Sequence, residues 1–270
     1  MKTISDTLPL AASFLKSRRD AEEIFCFVLG MKRIDLYMHY DRPLLDEELE
    51  KVRILMKRAS KGEPLVYLFG EVDFYHCSLT ITRDVLIPRP ETELLVDLIV
   101  KKLKGKALAG KEFWDLCTGS GCIGLALKQA YPELRVTLSD LSLSALKLAK
   151  ENARKNQLDV ELLEGDLLQP FRDRKIDFLV CNPPYISEKE YDSLDESVRL
   201  YEPKQALIGG ESGLEFYERL ARELPPFLQP GSTLFFELGA NQGEQIKKIF
   251  NGEIIKDYAG HDRFFFLEIE

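Results

Sequence analysis

The chain is 270 residues long, 45% hydrophobic and 30% charged, which supplies a core and excludes a disordered chain, a collagen or a coiled-coil rod. At roughly 100–200 residues per domain, this length fits one large domain or two smaller ones. The formal net charge of −8 leaves no overall basic field, which disfavours non-specific binding to DNA or RNA.

The first sixty residues read as helical. Ala21 to Leu29 is an apolar-rich helix ended by Gly30. Asp46 to Ser60 repeats Leu49, Val52, Leu55, Met56 and Ala59 at three-and-four spacing, an amphipathic helix that Gly62 and Pro64 stop. From Val66 to Ile81, aromatic and β-branched residues around Gly70 and Asp73 predict a hairpin. The prolines of Ile87-Pro88-Arg89-Pro90 mark a boundary. The expected organisation is a helical domain over 1–64, a hairpin linker over 65–86 and a larger domain over 87–270.

Beyond the prolines the pattern alternates. Glu91 to Leu103 is helical, Phe113 to Leu116 a short strand, Gly121 to Tyr131 a helix closed by Pro132, and Arg135 to Ser139 a strand. Ser142 to Asn156 is a long helix with Ala145, Leu148 and Ala149 on one face, and Val160 to Leu163 and Ile176 to Cys181 are strands. Strand and helix in turn predict a parallel α/β sheet with helices on both faces. The strand-rich tail, Thr233 to Leu238 and Arg263 to Ile269, is expected at one edge of it, with an antiparallel member.

Residues 1–80 hold 12 basic and 13 acidic side chains, a net of −1, while residues 81–270 hold 25 and 32, a net of −7. The small basic run Lys51, Arg53, Lys57, Arg58 and Lys61 is read as the solvated face of a helix. Five cysteines, Cys26, Cys77, Cys117, Cys122 and Cys181, form no Cys-x-x-Cys pair, and three histidines add no zinc set. Free, mostly buried thiols in a reducing compartment are expected. No apolar run approaches the roughly 18–20 residues of a membrane helix, and Asp6 interrupts a signal-peptide core. The expectation is a cytoplasmic protein that engages no membrane.

In sheets of this kind ligands bind at the carboxyl ends of the strands. The first strand end, Asp115-Leu116-Cys117-Thr118-Gly119-Ser120-Gly121, runs straight into a helix, where glycines admit a ligand close to the backbone and the helix start offers free N–H groups. A tight strand-to-helix turn explains the same residues. Gly119-Ser120-Gly121-Cys122-Ile123-Gly124 also fits the dinucleotide pattern G-x-G-x-x-G, with Asp140 nineteen residues after Gly121, so an NAD enzyme is an alternative. At the second strand end, Asp140 can accept two charge-assisted hydrogen bonds from a ribose diol, or Asp140 or Ser142 can cap the next helix. Asp166, after Gly165, is an acceptor suited to an adenine amino group, or a turn residue.

The fourth strand end, Asn182-Pro183-Pro184-Tyr185, is the most specific. Its prolines fix φ and lack N–H donors, which stiffens the loop and ends strand pairing. Such a loop would present the Asn182 amide and the Pro183 carbonyl as acceptors, with Tyr185 as a flat wall.

Together the Asp115–Gly121 loop, Asp140, Asp166 and Asn182-Pro183-Pro184-Tyr185 resemble a class I S-adenosylmethionine-dependent methyltransferase acting on a planar amine or amide nitrogen. More narrowly, the chain resembles the protein-(glutamine-N5) methyltransferases of peptide chain release factors over nearly its whole length. The narrower likeness rests on Arg89-Pro90-Glu91-Thr92-Glu93, on Glu202-Pro203 through Gly209-Gly210, on Ser212-Gly213-Leu214 and on Phe236-Glu237-Leu238-Gly239. The resemblance implies a Rossmann-like, mostly parallel seven-stranded sheet beside a small N-terminal helical domain. It implies S-adenosyl-L-methionine as cofactor, held by Cys117, Thr118, Gly119, Ser120, Gly121, Asp140, Asp166, Leu167 and Asn182. It implies a release factor glutamine as substrate, with Asn182, Pro183, Pro184 and Tyr185 catalytic and Arg89 and Glu91 at the mouth of the site. A monomer that binds class 1 release factors and no nucleic acid directly is expected. The N-terminal helices would contact the release factor body. Cys117 stands where the family has glycine, and Leu167 where relatives carry an aromatic. A DNA or rRNA base methyltransferase and a catalytically silent binding module are the remaining alternatives.

Overall fold

Helix-start signals organise the first seventy residues. In the computed structural model, which describes residues 2–270, α1 (Ile4–Leu15) begins at Thr3, whose hydroxyl accepts the Asp6 N–H at 3.2 Å while the Asp6 carboxylate accepts the Thr3 N–H at 2.9 Å. Ser17 caps α2 (Arg18–Leu29), and Gly30 ends it at φ 62°. After α3 (Arg33–Met38), α4 (Asp46–Ala59) carries Asp46, Glu47 and Glu48 in its first turn and Lys57 and Arg58 in its last, matched to the helix dipole. The helices bury Ile4, Leu8 and Ala11 with Ala21, Ile24, Phe25, Val52 and Leu55 in one core. Glu22 lies buried among them, and its charge is kept by Arg18, Arg33 at 2.5 Å and the Tyr37 hydroxyl.

The hairpin is shorter than expected. Val66 to Phe69 belongs to α5 (Leu65–Phe69), because Pro64 supplies a preset φ at the helix start and Gly70, at φ 74°, ends it. Only β1 (Glu71–Phe74) and β2 (Cys77–Thr80) pair, antiparallel, turning at Tyr75 with φ 45°. The chain divides into two units between Gly70 and Glu71, so the hairpin lies in the second.

That unit continues with α6 (Pro90–Leu103), β3 (Glu112–Leu116), α7 (Cys122–Ala130), β4 (Arg135–Asp140), α8 (Leu143–Lys155), β5 (Glu161–Glu164) and β6 (Phe178–Cys181). Next come β7 (Ile186–Ser187), α9 (Glu188–Tyr191), α10 (Glu196–Tyr201), β8 (Ile208–Gly210) and α11 (Glu215–Glu223). β9 (Thr233–Glu237), α12 (Gly243–Ile249), β10 (Glu253–Lys256) and β11 (Asp262–Glu268) close it. Seven strands form one sheet in the order β10-β11-β9-β6-β3-β4-β5. The five from β9 to β5 are parallel; β11 runs antiparallel to both β9 and β10 at the edge, as the strand-rich tail leads one to expect. β3, β6 and β9 are buried along almost their whole lengths, with Trp114 stacked on Phe171 at 4.0 Å and Phe236 on Phe265 at 5.7 Å. The chain runs outward from β3 through β4 to β5, then returns to β6 on the other side of β3. That reversal opens a crevice at the carboxyl ends of β3 and β6.

Candidate functional site

The crevice is a cavity of about 270 Å³. Cys117, Thr118, Gly119, Ser120, Asp140, Asp166, Leu167, Asn182, Pro184 and Arg89 line it together. Four strand ends that lie far apart in the chain thus meet, because parallel pairing puts every carboxyl end on one rim.

The loop after β3 is built on Asp115. Its carboxylate is buried, and Oδ2 accepts the Thr118 hydroxyl at 2.7 Å and the Gly124 N–H at 2.9 Å, while Oδ1 has no partner. Burial pushes this carboxyl up to about 7. Gly119 and Gly121 sit at φ 55° and 84°, and Cys117, at φ 56°, adopts the left-handed region that favours glycine. Gly124 is a packing residue: a Cβ there would lie 2.2 Å from Leu138 Cδ2. Gly121 caps α7 from below the loop and is not among the cavity-lining residues.

Asp140 ends β4 and holds the glycine loop. One oxygen accepts the Gly119 N–H and the other the Ser142 N–H, both at 2.9 Å, and burial raises its pKa. Ser142, not Asp140, accepts the Ala145 N–H that caps α8. Asp140 lines the cavity, and a carboxylate's oxygens retain acceptor capacity beyond these bonds. Asp166 also lines the cavity, but Arg219 of α11 grips its two oxygens at 3.1 and 2.9 Å. Leu167 beside it is held at φ 50°.

Asn182 extends from β6 into the cavity, and Pro184 follows it there. Pro183 and Tyr185 are not among the lining residues: Pro183 is buried, and Tyr185 is packed against the core under the sheet ends, where burial drives its phenol pKa far up. The loop is seated by glycines. A Cβ on Gly209 would lie 2.4 Å from the Pro184 carbonyl oxygen, and one on Gly213 would lie 2.4 Å from that of Tyr185. Gln242 donates to the Tyr185 carbonyl at 2.9 Å.

Arg89 lines the mouth and is also ion-paired, to the buried Glu202 at 2.5 Å; Glu202 accepts the Ile87 N–H as well. Glu91 is exposed and does not line the cavity. Successive helical residues diverge by roughly 100°, so turning Thr92 inward turns Glu91 out.

Sequence reasoning missed three residues. Arg219 carries no local signal for its partner. Asn152 of α8, fully buried, donates to the Thr80 and Ser120 carbonyls and accepts the Thr80 N–H at 2.7 Å, tying the hairpin to the glycine loop. Glu237, 1% exposed at the end of β9, accepts the Thr92 hydroxyl at 2.8 Å, and burial raises it to about 7. Among the described residues no group of histidine, cysteine or acidic side chains is arranged to hold a metal, and no helix is long and apolar enough to cross a membrane.

The Methyltransferase small domain family matches residues 90–200, and the PrmC N-terminal domain family matches residues 7–70. A release factor glutamine methyltransferase of Chlamydia trachomatis serovar D is 44% identical over 272 residues, covering 96% of this chain and 91% of its own. That of Thermodesulfovibrio yellowstonii is 36% identical, with 99% and 98% covered. Among solved structures, the T. thermophilus 16S rRNA N2 G1207 methyltransferase (RsmC), in complex with AdoMet and guanosine, superposes with a TM-score of 0.56 at 16% identity. It covers 74% of this chain and 50% of that one, a likeness of fold.

Proposed function

The chain belongs to the family of release factor glutamine methyltransferases, and we propose that it methylates the side-chain amide nitrogen, N5, of the glutamine in the Gly-Gly-Gln loop of class 1 release factors. The observation that carries this reading is the meeting of Asn182, Asp140 and the Gly119 loop on one cavity.

The cavity's donors and acceptors fit S-adenosyl-L-methionine. Asp140 keeps acceptor capacity for a ribose diol, and the Thr118–Gly121 loop brings backbone close to a ligand. Three acidic side chains, Asp84, Asp140 and Asp166, against two arginines, Arg89 and Arg219, leave the lining net acidic, which suits a cationic group. Asp166, gripped by Arg219, retains acceptor capacity for an adenine amino group, and Leu167 gives an apolar wall. When bound, the cofactor supplies a methyl group already activated by a positive sulfur.

The remaining task falls to the protein. An amide nitrogen is a poor nucleophile because its lone pair is shared with its carbonyl. The Asn182 side-chain oxygen would accept one substrate N–H, orienting the nitrogen and stabilising the positive charge that grows as its bond to carbon forms; the backbone carbonyl of Pro183, a residue outside the cavity lining, is the proposed acceptor of the other. The nitrogen then gives up one proton to water and remains a neutral methylamide. A preorganised partner of this kind is worth roughly 10²–10³ in rate, and alignment adds a proximity gain. Tyr185, braced from below, keeps the loop stiff, and Arg89 stands at the mouth with Glu202. The N-terminal unit would dock the release factor body, a reading supported by its match to the PrmC N-terminal domain family.

The test is mass spectrometry of a release factor incubated with enzyme and S-adenosyl-L-methionine. One added methyl on the loop glutamine is expected. No methyl there, with label passing instead to DNA or ribosomal RNA, overturns the reading.

A further inference from the structure

We propose that Glu237 is a positioning residue for the reaction: its buried carboxylate, anchored by Thr92, accepts the Asn182 amide N–H and thereby points the Asn182 oxygen at the substrate nitrogen. This rests on the reading of Asn182 as the substrate's acceptor.

The sheet makes the juxtaposition. β6 and β9 run parallel with Cys181 opposite Phe236, so one step further along, Asn182 and Glu237 emerge side by side. The Glu237 side chain is buried, and the Thr92 hydroxyl donates to its Oε2 at 2.8 Å from the first turn of α6. Below, the Tyr217 hydroxyl donates to the Glu237 carbonyl at 2.6 Å, which fixes the backbone that carries it. Beside it in the register, the Asn182 side chain favours the ionised form of the carboxylate. No role in holding cofactor follows from this position, since Glu237 does not line the cavity and Asn182 does.

The chemistry of the pair is directional. An ionised carboxylate only accepts hydrogen bonds, so the amide must turn its NH₂ toward Glu237 and its oxygen away. The oxygen is then available to a substrate N–H. A carboxylate receiving one amide N–H also draws negative charge onto the oxygen at the other end of that amide, strengthening it as an acceptor. A protonated Glu237 would instead donate to the Asn182 oxygen and reverse the amide, leaving two donors facing two donors. The ionised form is thus the competent one. Burial in the core holds the Glu237 carboxyl up at about 7, which brings the switch into the working range.

The charged and polar groups that bear on Glu237 are Thr92 and, from the exposed side of α6, Glu91, with Arg263 of β11, Asn182, the thiol of Cys122 in α7, Tyr185 and Tyr217. Thr92 and Arg263 favour the ionised form and Glu91 opposes it. Thr92 is therefore the handle that changes Glu237 without touching Asn182.

The experiment compares the full-length parent, Thr92→Val, Glu237→Gln and Asn182→Ala by kcat, KM for the release factor, cofactor Kd and the pH profile of kcat. Thr92→Val removes a hydrogen bond to the ionised carboxylate, so the acid limb of its profile should move to higher pH. Glu237→Gln can still accept from Asn182, with Thr92 turning its hydroxyl to accept. Its plateau kcat should fall about tenfold as a charge-assisted bond becomes a neutral one, that limb should vanish, and KM and cofactor Kd should stay within about twofold. Asn182→Ala should abolish turnover with cofactor Kd kept. Turnover retained in Asn182→Ala sinks the reading beneath the proposal. With Asn182→Ala inactive, parent-like profiles in both other variants, or loss of cofactor binding in step with kcat, overturn the Glu237 proposal alone. If Glu237→Gln does not fold, the Thr92→Val limb decides, and an unmoved limb overturns it.

Discussion

Replacing Gly209 by alanine should disable the enzyme without unfolding it, although residue 209 does not line the cavity. The added Cβ would lie 2.4 Å from the Pro184 carbonyl oxygen and 3.0 Å from both the Pro184 carbonyl carbon and Tyr185 Cα. These are backbone atoms, not the yielding end of a side chain. Carbon needs roughly 3.5 Å from such neighbours, so the loop must retreat by about 1 Å. Pairing of Ile186 with Ile208 and of Ser187 with Gly210 holds the two segments together, so the strain concentrates on Asn182–Tyr185. Overpacking of this kind costs about 1–3 kcal/mol, which a domain of this size survives. A shift of about 1 Å in a positioning loop costs roughly 10²-fold in rate. Single-turnover methylation of a release factor, with cofactor affinity and thermal melting measured in parallel, should show kcat down by about that factor, cofactor Kd nearly kept and a modestly lowered Tm. A folded Gly209→Ala protein with parental kcat would refute the claim that this close approach sets the position of the catalytic loop.

Two further outcomes follow from other parts of the site. Asn152→Ala removes a buried amide serving Thr80 on both its N–H and carbonyl and Ser120 on its carbonyl; unfolding free energy should fall by about 2–4 kcal/mol, and a denaturant titration showing under about 1 would contradict the bridging role. Asp115 has its folded pKa raised by burial to about 7, above its unfolded value, so its protonated form favours the fold at low pH and that contribution drains away as pH climbs from about 4 to about 7. Asp115→Asn keeps an oxygen for Thr118 and Gly124, so its Tm relative to the parent should rise across that interval; a constant difference would argue against a buried, raised carboxyl.

Much of the fold was legible because its signals are local. Capping residues, the three-and-four spacing in α4 and the alternation of short apolar runs with helices each act within one or two turns of chain. The exception, Val66–Phe69, shows the limit: its aromatic and β-branched texture favours a strand, yet Pro64 and Gly70 close a helical turn around it. In the site, the strand ends carrying Cys117, Asp140, Asp166 and Asn182 were visible from glycine, acid and proline punctuation. Pro183, Tyr185 and Glu91 were grouped with them by sequence adjacency, but a stiff corner turns consecutive side chains different ways, and only Asn182 and Pro184 reach the cavity lining.

The sequence by itself determined the strand–helix alternation, the loop chemistry at each strand end and the acidic character of the larger unit. Those depend on residues next to one another in the chain. The tertiary structure alone decided that Arg219 closes on Asp166 across 53 residues, that Asn152 ties the hairpin to the glycine loop, and that Thr92 and Glu237, 145 residues apart, are hydrogen-bonded. Each of those pairings follows from strand order, and strand order is set by which buried faces pack together, a sum over the whole core that no short window of residues contains.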